Sequence, residues 1–154
     1  MFPEVERHWR IPLVGEAPGE VPDEWIAALA AIVRDLRCRR YGRVVSFDGL
    51  EWELAVTSEG WVHIGMARLP GDADLNPFSI GRGYTLETTT AQAIVWVAEV
   101  VQGELAGYEF VQWPSDGRRL LTPSLRGGDA VWIDPSTSSI VSAIGALCDG
   151  PECS

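Results

Sequence analysis

GRVVSFDGLEWELAVTSEGWVHIGMARL, residues 42–69, is the stretch whose period decides the fold. Apolar and polar residues alternate along it, as they do when one face of a pleated strand is buried. Asp48-Gly49 and Ser58-Glu59-Gly60 are turn chemistry, and they separate RVVSF, EWELAV and WVHIGMARL into a three-stranded antiparallel meander. Trp52, Leu54 and Val56 share one face of the middle strand. Glu51, Glu53 and Ala55 share the other, which sends the two carboxylates to solvent or to a partner. A two-residue Glu59-Gly60 turn would set His63 opposite Val56 and away from Glu53, and a one-residue change of register would reverse its face. A lone histidine on a largely apolar strand reads first as a packed, hydrogen-bonded residue.

Working outward, VPDEWIAALAAIVRDLRCRR (21–40) spaces Trp25, Leu29, Ile32 and Leu36 at helical intervals, with Ile26 and Val33 widening the stripe. Asp23 and Glu24 at its start and arginines at its end complement the helix dipole. The lead, residues 1–21, is punctuated by Pro and Gly and predicts at most a short strand around Trp9–Val14. Downstream, residues 70–90 form the longest irregular stretch, of the kind that carries binding residues in compact domains. Asp72, Asp74 and Asn76 imitate the start of a calcium loop. Pro77 and Gly83 stand where that loop needs its glycine and its bidentate acid, which excludes it. A second helix follows, TAQAIVWVAEVVQGELAG (90–107), capped by Thr89 or Thr90, with a seam of Ile94, Val97, Val101 and Leu105 and with Gly107 at its end. It is apolar almost all round, so it is the helix expected to lie across the sheet.

The C-terminal third alternates short strands with turns at Asp116-Gly117, Gly127-Gly128 and Ser136–Ser139. Its order of Trp113-Pro114, Leu121-x-Pro123, Ala130-Val131-Trp132-x-x-Pro135 and Val141-x-x-Ile144-Gly145 resembles the C-terminal part of a group of small actinobacterial proteins. In that group Trp-Pro is followed by cysteine and histidine, and the Val-Trp strand ends in Cys-Pro. Ser115, Asp116 and Asp134 occupy those places in this chain. The resemblance therefore implies a ribbon held by the packing of Leu121, Val131, Trp132, Val141 and Ile144, with no metal and no activity attached.

Together these segments predict an α+β fold: an antiparallel sheet, made of the three-stranded meander plus C-terminal strands, packed by two main helices. At 154 residues the expectation is one domain over 1–147 and a flexible tail over 148–154. Cys38, Cys148 and Cys153 are an odd set without framework spacing; Cys148 and Cys153 read as exposed tail thiols, able to pair with each other on oxidation. The N-terminus lacks the apolar core of a signal peptide, and the apolar run Ala91–Val101 is too short to span a bilayer. A cytoplasmic location is expected.

All 12 basic residues are arginine, which excludes Schiff-base lysine chemistry and the P-loop lysine. With two histidines and no nucleophile elbow or zinc spacing, no catalytic residue and no cofactor is assigned. Residues 34–43 hold five arginines and one aspartate, a local +4, leaving −14 for the rest of a chain whose formal total is −10. Such a field repels nucleic acid and anionic membranes and steers basic proteins inward. The composition thus predicts a small acidic, non-catalytic binding protein: an immunity protein or inhibitor of a basic toxin or enzyme, meeting its partner through Glu51, Glu53, Asp72 and Asp74. Two other readings stay open: an adaptor or secretion chaperone that uses apolar surface, with tryptophans as anchors, and a small-molecule enzyme or sensor centred on His63.

Overall fold

A computed structural model describes residues 5–13, 19–42, 50–57, 59–68, 78–79, 84–85, 87–108, 111–115 and 119–149. In chain order the elements are β1 (Val5–Pro12), α1 (Asp23–Asp35), β2 (Tyr41–Gly42), β3 (Leu50–Thr57), β4 (Trp61–Arg68), β5 (Phe78–Ser79), β6 (Tyr84–Thr85), α2 (Thr90–Tyr108), β7 (Val111–Gln112), β8 (Thr122–Arg126), β9 (Asp129–Asp134), β10 (Ser139–Ala143) and a 3-10 turn at Leu147–Asp149. The fold is α+β, with antiparallel sheets and two main helices. The chain divides into two compact units, residues 1–22 with 45–88 and residues 23–44 with 89–154.

Unit 1 is built on the antiparallel strands β1, β3 and β4, with β5 and β6 both pairing β4. The predicted EWELAV and WVHIGMARL strands are β3 and β4. The neighbour of β3 on its other edge, however, is β1, Val5–Pro12, which overlaps the short strand expected around Trp9–Val14 and begins four residues before it. The predicted RVVSF strand lies outside the described residues. Alternation sets the core: Trp9, Ile11, Trp52, Leu54, Val56, Val62, Ile64 and Met66 are all buried. The β3–β4 loop is three residues long, Ser58–Gly60, rather than the two-residue turn. Gly60 sits at φ +84°, a left-handed conformation that glycine adopts without a Cβ penalty. The turn is closed by Gly60 N–H to Thr57 O and by Trp61 N–H to Thr57 Oγ1.

Unit 2 packs α1 and α2 against each other, and α2 lies against β7, β8 and β9. The second helix thus covers a sheet as its composition demands, that sheet being the C-terminal one, β10-β9-β8. Thr89 caps α2: its Oγ1 accepts from Gln92 N–H, and Gln92 Oε1 accepts from Thr89 N–H, a reciprocal capping box. The helix runs one residue past Gly107. Trp25 of α1 meets Trp96 of α2 edge to face at 5.7 Å, and Gln102 donates to the carbonyls of Trp113 and Leu121, fixing the strands that follow. The β8–β9 hairpin turns on Gly127-Gly128, as expected, both at positive φ.

At the end of α1, Asp35 is fully buried and collects the C-terminal chain. Its carboxylate accepts from Trp132 Nε1 at 2.8 Å, Gly145 N at 2.7 Å and Leu147 N at 3.1 Å, while its carbonyl accepts from Trp113 Nε1 at 2.9 Å. Burial pushes the Asp35 carboxyl above the ordinary carboxylate range, opposed by those three donors and by the charge of Arg34. Gly145 approaches α1 so closely that a Cβ there would meet Arg34 Nη2 at 2.9 Å and Ala31 Cβ at 3.2 Å. Cys38 and Cys148 form a disulfide across the same junction. This corrects the tail reading: Cys148 is bonded to Cys38, not left as an exposed thiol or paired with Cys153. The oxidised chain tethers the C-terminal turn to α1 across a sequence separation of 110.

Two outcomes test this packing. Val97, fully buried on α2, changed to Asp should cost at least about 4 kcal/mol in urea unfolding, because it strands a charge in the core. Trp132→Phe should cost about 1.5–3 kcal/mol more than Trp52→Phe. Both rings are buried, but only Trp132 loses a bond to a carboxylate, since Trp52 Nε1 has no acceptor among the described residues.

Candidate functional site

Directly opposed residues in antiparallel strands project to the same face, so the register of unit 1 gathers one polar surface. Its rows are His8–Ala55–His63 and Arg10–Glu53–Gly65, with Pro12 opposite Glu51 beyond them. The opposite face carries the apolar set. The three-residue β3–β4 loop decides the matter for His63: it pairs opposite Ala55, on the side of Glu53, and not opposite Val56. His8 and His63 therefore flank Ala55 from the two neighbouring strands, about 10 Å apart across it.

Glu51 and Glu53 lie where the alternation placed them, yet neither is simply solvated. Their side chains are 12% and 29% exposed. Arg10, 53% exposed, reaches both, with Nη1 donating to Glu51 Oε1 at 3.3 Å and Nη2 lying 3.5 Å from Glu53 Oε1. His8 Nε2 stands 3.8 Å from the same Glu53 oxygen. The two carboxylates are thus already spaced to hold one guanidinium between them. Arg10 and His8 were missed from sequence because they fall in the proline-punctuated lead, although the alternation His8-Trp9-Arg10-Ile11 carries the strand signal. Of the predicted set, Glu51 and Glu53 lie on this face, and Asp72 and Asp74 lie outside the described residues. The tryptophans considered as anchors are mostly core: Trp9, Trp25, Trp52, Trp96, Trp113 and Trp132 are buried, and Trp61 is the exposed one.

The C-terminal ribbon buries Leu121, Val131, Trp132 and Ile144, while Val141, expected to pack with them, is 40% exposed. Ser115 bridges to Leu120, and Asp134 accepts from the guanidinium of Arg119 and from Ser136 N–H and Oγ at 2.9 and 2.6 Å. Asp116 lies outside the described residues. Among the described residues no group of three His, Cys, Asp or Glu is placed to hold a metal ion. No family model, curated protein or solved structure matches the chain.

The bonds from Ser136, then from Arg119, hold the Asp134 carboxyl below its ordinary value of 3.8. A depressed folded-state value gives stability that is present above that ordinary value and is lost as the pH falls through the folded one. Asp134→Asn should therefore lower the urea midpoint at neutral pH, and the gap from wild type should close progressively as unfolding is repeated at pH below 3.8.

Proposed function

We propose that this chain is a small acidic, non-catalytic binding protein, an immunity protein or inhibitor that covers a basic toxin or enzyme. The observation that carries the reading is the grip of Glu51 and Glu53 on the exposed Arg10, in a chain of formal charge −10. An exposed ion pair is worth only about 0–1 kcal/mol, so an arginine presented by a partner can displace Arg10 at little cost and meet carboxylates held at the right spacing by a rigid sheet. The surrounding negative field raises the encounter rate, while aromatic or aliphatic contacts at the rim slow dissociation.

The Cys38–Cys148 disulfide favours an oxidising compartment over the cytoplasmic one expected from sequence, because thiols stay reduced in the cytosol. No helix of the described residues is long and apolar enough to cross a membrane.

A second reading has its own observation. Ile140, 56% exposed, together with Val141, Leu125 and Tyr41, leaves apolar side chains at the surface of unit 2, which suits an adaptor or secretion chaperone. The two readings separate in one experiment. A partner captured from the native host at low salt is assayed for association rate against sodium chloride concentration, with wild type, Glu51→Lys/Glu53→Lys and Ile140→Ser/Val141→Ser. The acidic-face reading expects the rate to fall with salt and to drop at least about tenfold in the charge-reversed protein. A rate indifferent to both, but lost in the serine variant, assigns the contact to unit 2.

A further inference from the structure

We propose that the face carrying Glu51 and Glu53 is proton-gated: protonated His8 and His63 occupy Glu53 and exclude a basic partner in mild acid. This rests on the partner reading above and adds its regulation. The chain has two histidines, separated by 55 residues of sequence, and the register brings both to this one face, in one row, on either side of Ala55. Histidine is the side chain whose charge ordinarily changes between pH 5 and 8.

Glu53 is the residue through which the gate acts. It lies directly opposite Arg10 on β1 and Gly65 on β4, and diagonally next to His8 on one side and His63 on the other. Diagonal neighbours are about 7–8 Å apart at the backbone, within reach of long side chains. His8 is already 3.8 Å from Glu53 Oε1. The charged and titratable side chains described on this face are His8 and Arg10 of β1, Glu51 and Glu53 of β3, and His63 of β4; Gly65 and Ala55 add none. Tyr84 of β6 pairs with Val62, on the opposite face. With both imidazoles neutral, the face carries two carboxylates against one guanidinium, a net −1. With both protonated it carries +1. The sign seen by an arriving arginine reverses, and Glu53 gains two competing cations from its own sheet.

The test uses the intact chain and an oligo-arginine peptide as probe, with binding followed by fluorescence anisotropy at low salt and at about pH 7.5 and pH 5.5, on either side of the imidazole range. Wild type should bind the peptide roughly fivefold more weakly at the lower pH, the size expected for losing one or two exposed pairs. His8→Gln/His63→Gln should lose most of that pH dependence while binding equally well at the higher pH. Equal weakening in wild type and variant overturns the gate and leaves the docking reading standing. Absence of binding by wild type at the higher pH overturns the docking reading and the gate with it. A readout without any partner separates the two: the Glu53 side-chain carboxyl carbon, followed by NMR, should show a step between pH 5 and 8 in wild type that vanishes in the double variant. Without that step the gate is overturned, even if the peptide binds.

Discussion

A carboxylate with no water around it must find donors within the protein, and in unit 2 the chain is arranged to supply them to Asp35. Removing such a group from solvent costs several kcal/mol, and each hydrogen bond to a charged acceptor returns about 1.5–3. Three donors from two parts of the sequence converge on it: Trp132 in β9, then Gly145 and Leu147 after β10. The backbone carbonyl of the same residue takes Trp113, so the two indoles meet edge to face 5.1 Å apart with both N–H groups satisfied. The closeness of Gly145 to α1, the burial of Leu147 and the hold of Arg34 on the Gly145 carbonyl all follow from bringing those amides within reach. Because burial raises the Asp35 carboxyl above its ordinary value of 3.8, its ionisation works against the fold, and its contribution declines as pH rises through the raised value. Asp134, held by Ser136 and Arg119 at the end of β9, has the opposite dependence.

Unit 1 follows a different rule. Its sheet has no buried charge to satisfy among the described residues, and alternation sorts the central positions of its strands: Trp9, Ile11, Trp52, Leu54, Val56, Val62, Ile64 and Met66 inward, and His8, Arg10, Glu51, Glu53 and His63 on the other face. That sorting makes a surface whose charges are close enough to couple yet accessible enough to exchange partners. The weakness of each pair is what makes the surface usable, since a strongly held Arg10 would leave Glu51 and Glu53 nothing to offer.

The parts of this architecture visible in the sequence are those set by local period. Both helices, the strands β3 and β4, the Thr89 cap and the Gly127-Gly128 turn follow from spacing within a few residues, and so does the face on which Glu51 and Glu53 lie. What escaped depends on pairing over distance. The partner of β3 is a strand some 45 residues earlier in the chain, and alternation in a lead broken by prolines gives no hint of where it docks. The face of His63 turns on whether a loop has two residues or three, a difference that propensity does not resolve. Asp35 looks like a solvated acid at the end of an amphipathic helix; only the later tryptophan and the glycine after Ile144 give it a purpose. Cys38 and Cys148 are joined across a separation too long for spacing to suggest.

That long bond also changes what a cut in the chain means. Residues 38 to 148 form a covalently closed ring, which takes in the second stretch of unit 1, residues 45–88. A protease that severs any peptide bond between Arg39 and Leu147 opens the ring without releasing a fragment, so the nicked protein keeps its full mass until a reductant is added. Backbone continuity and molecular integrity are therefore separate properties over most of this chain, and the host can lose the first while keeping the second.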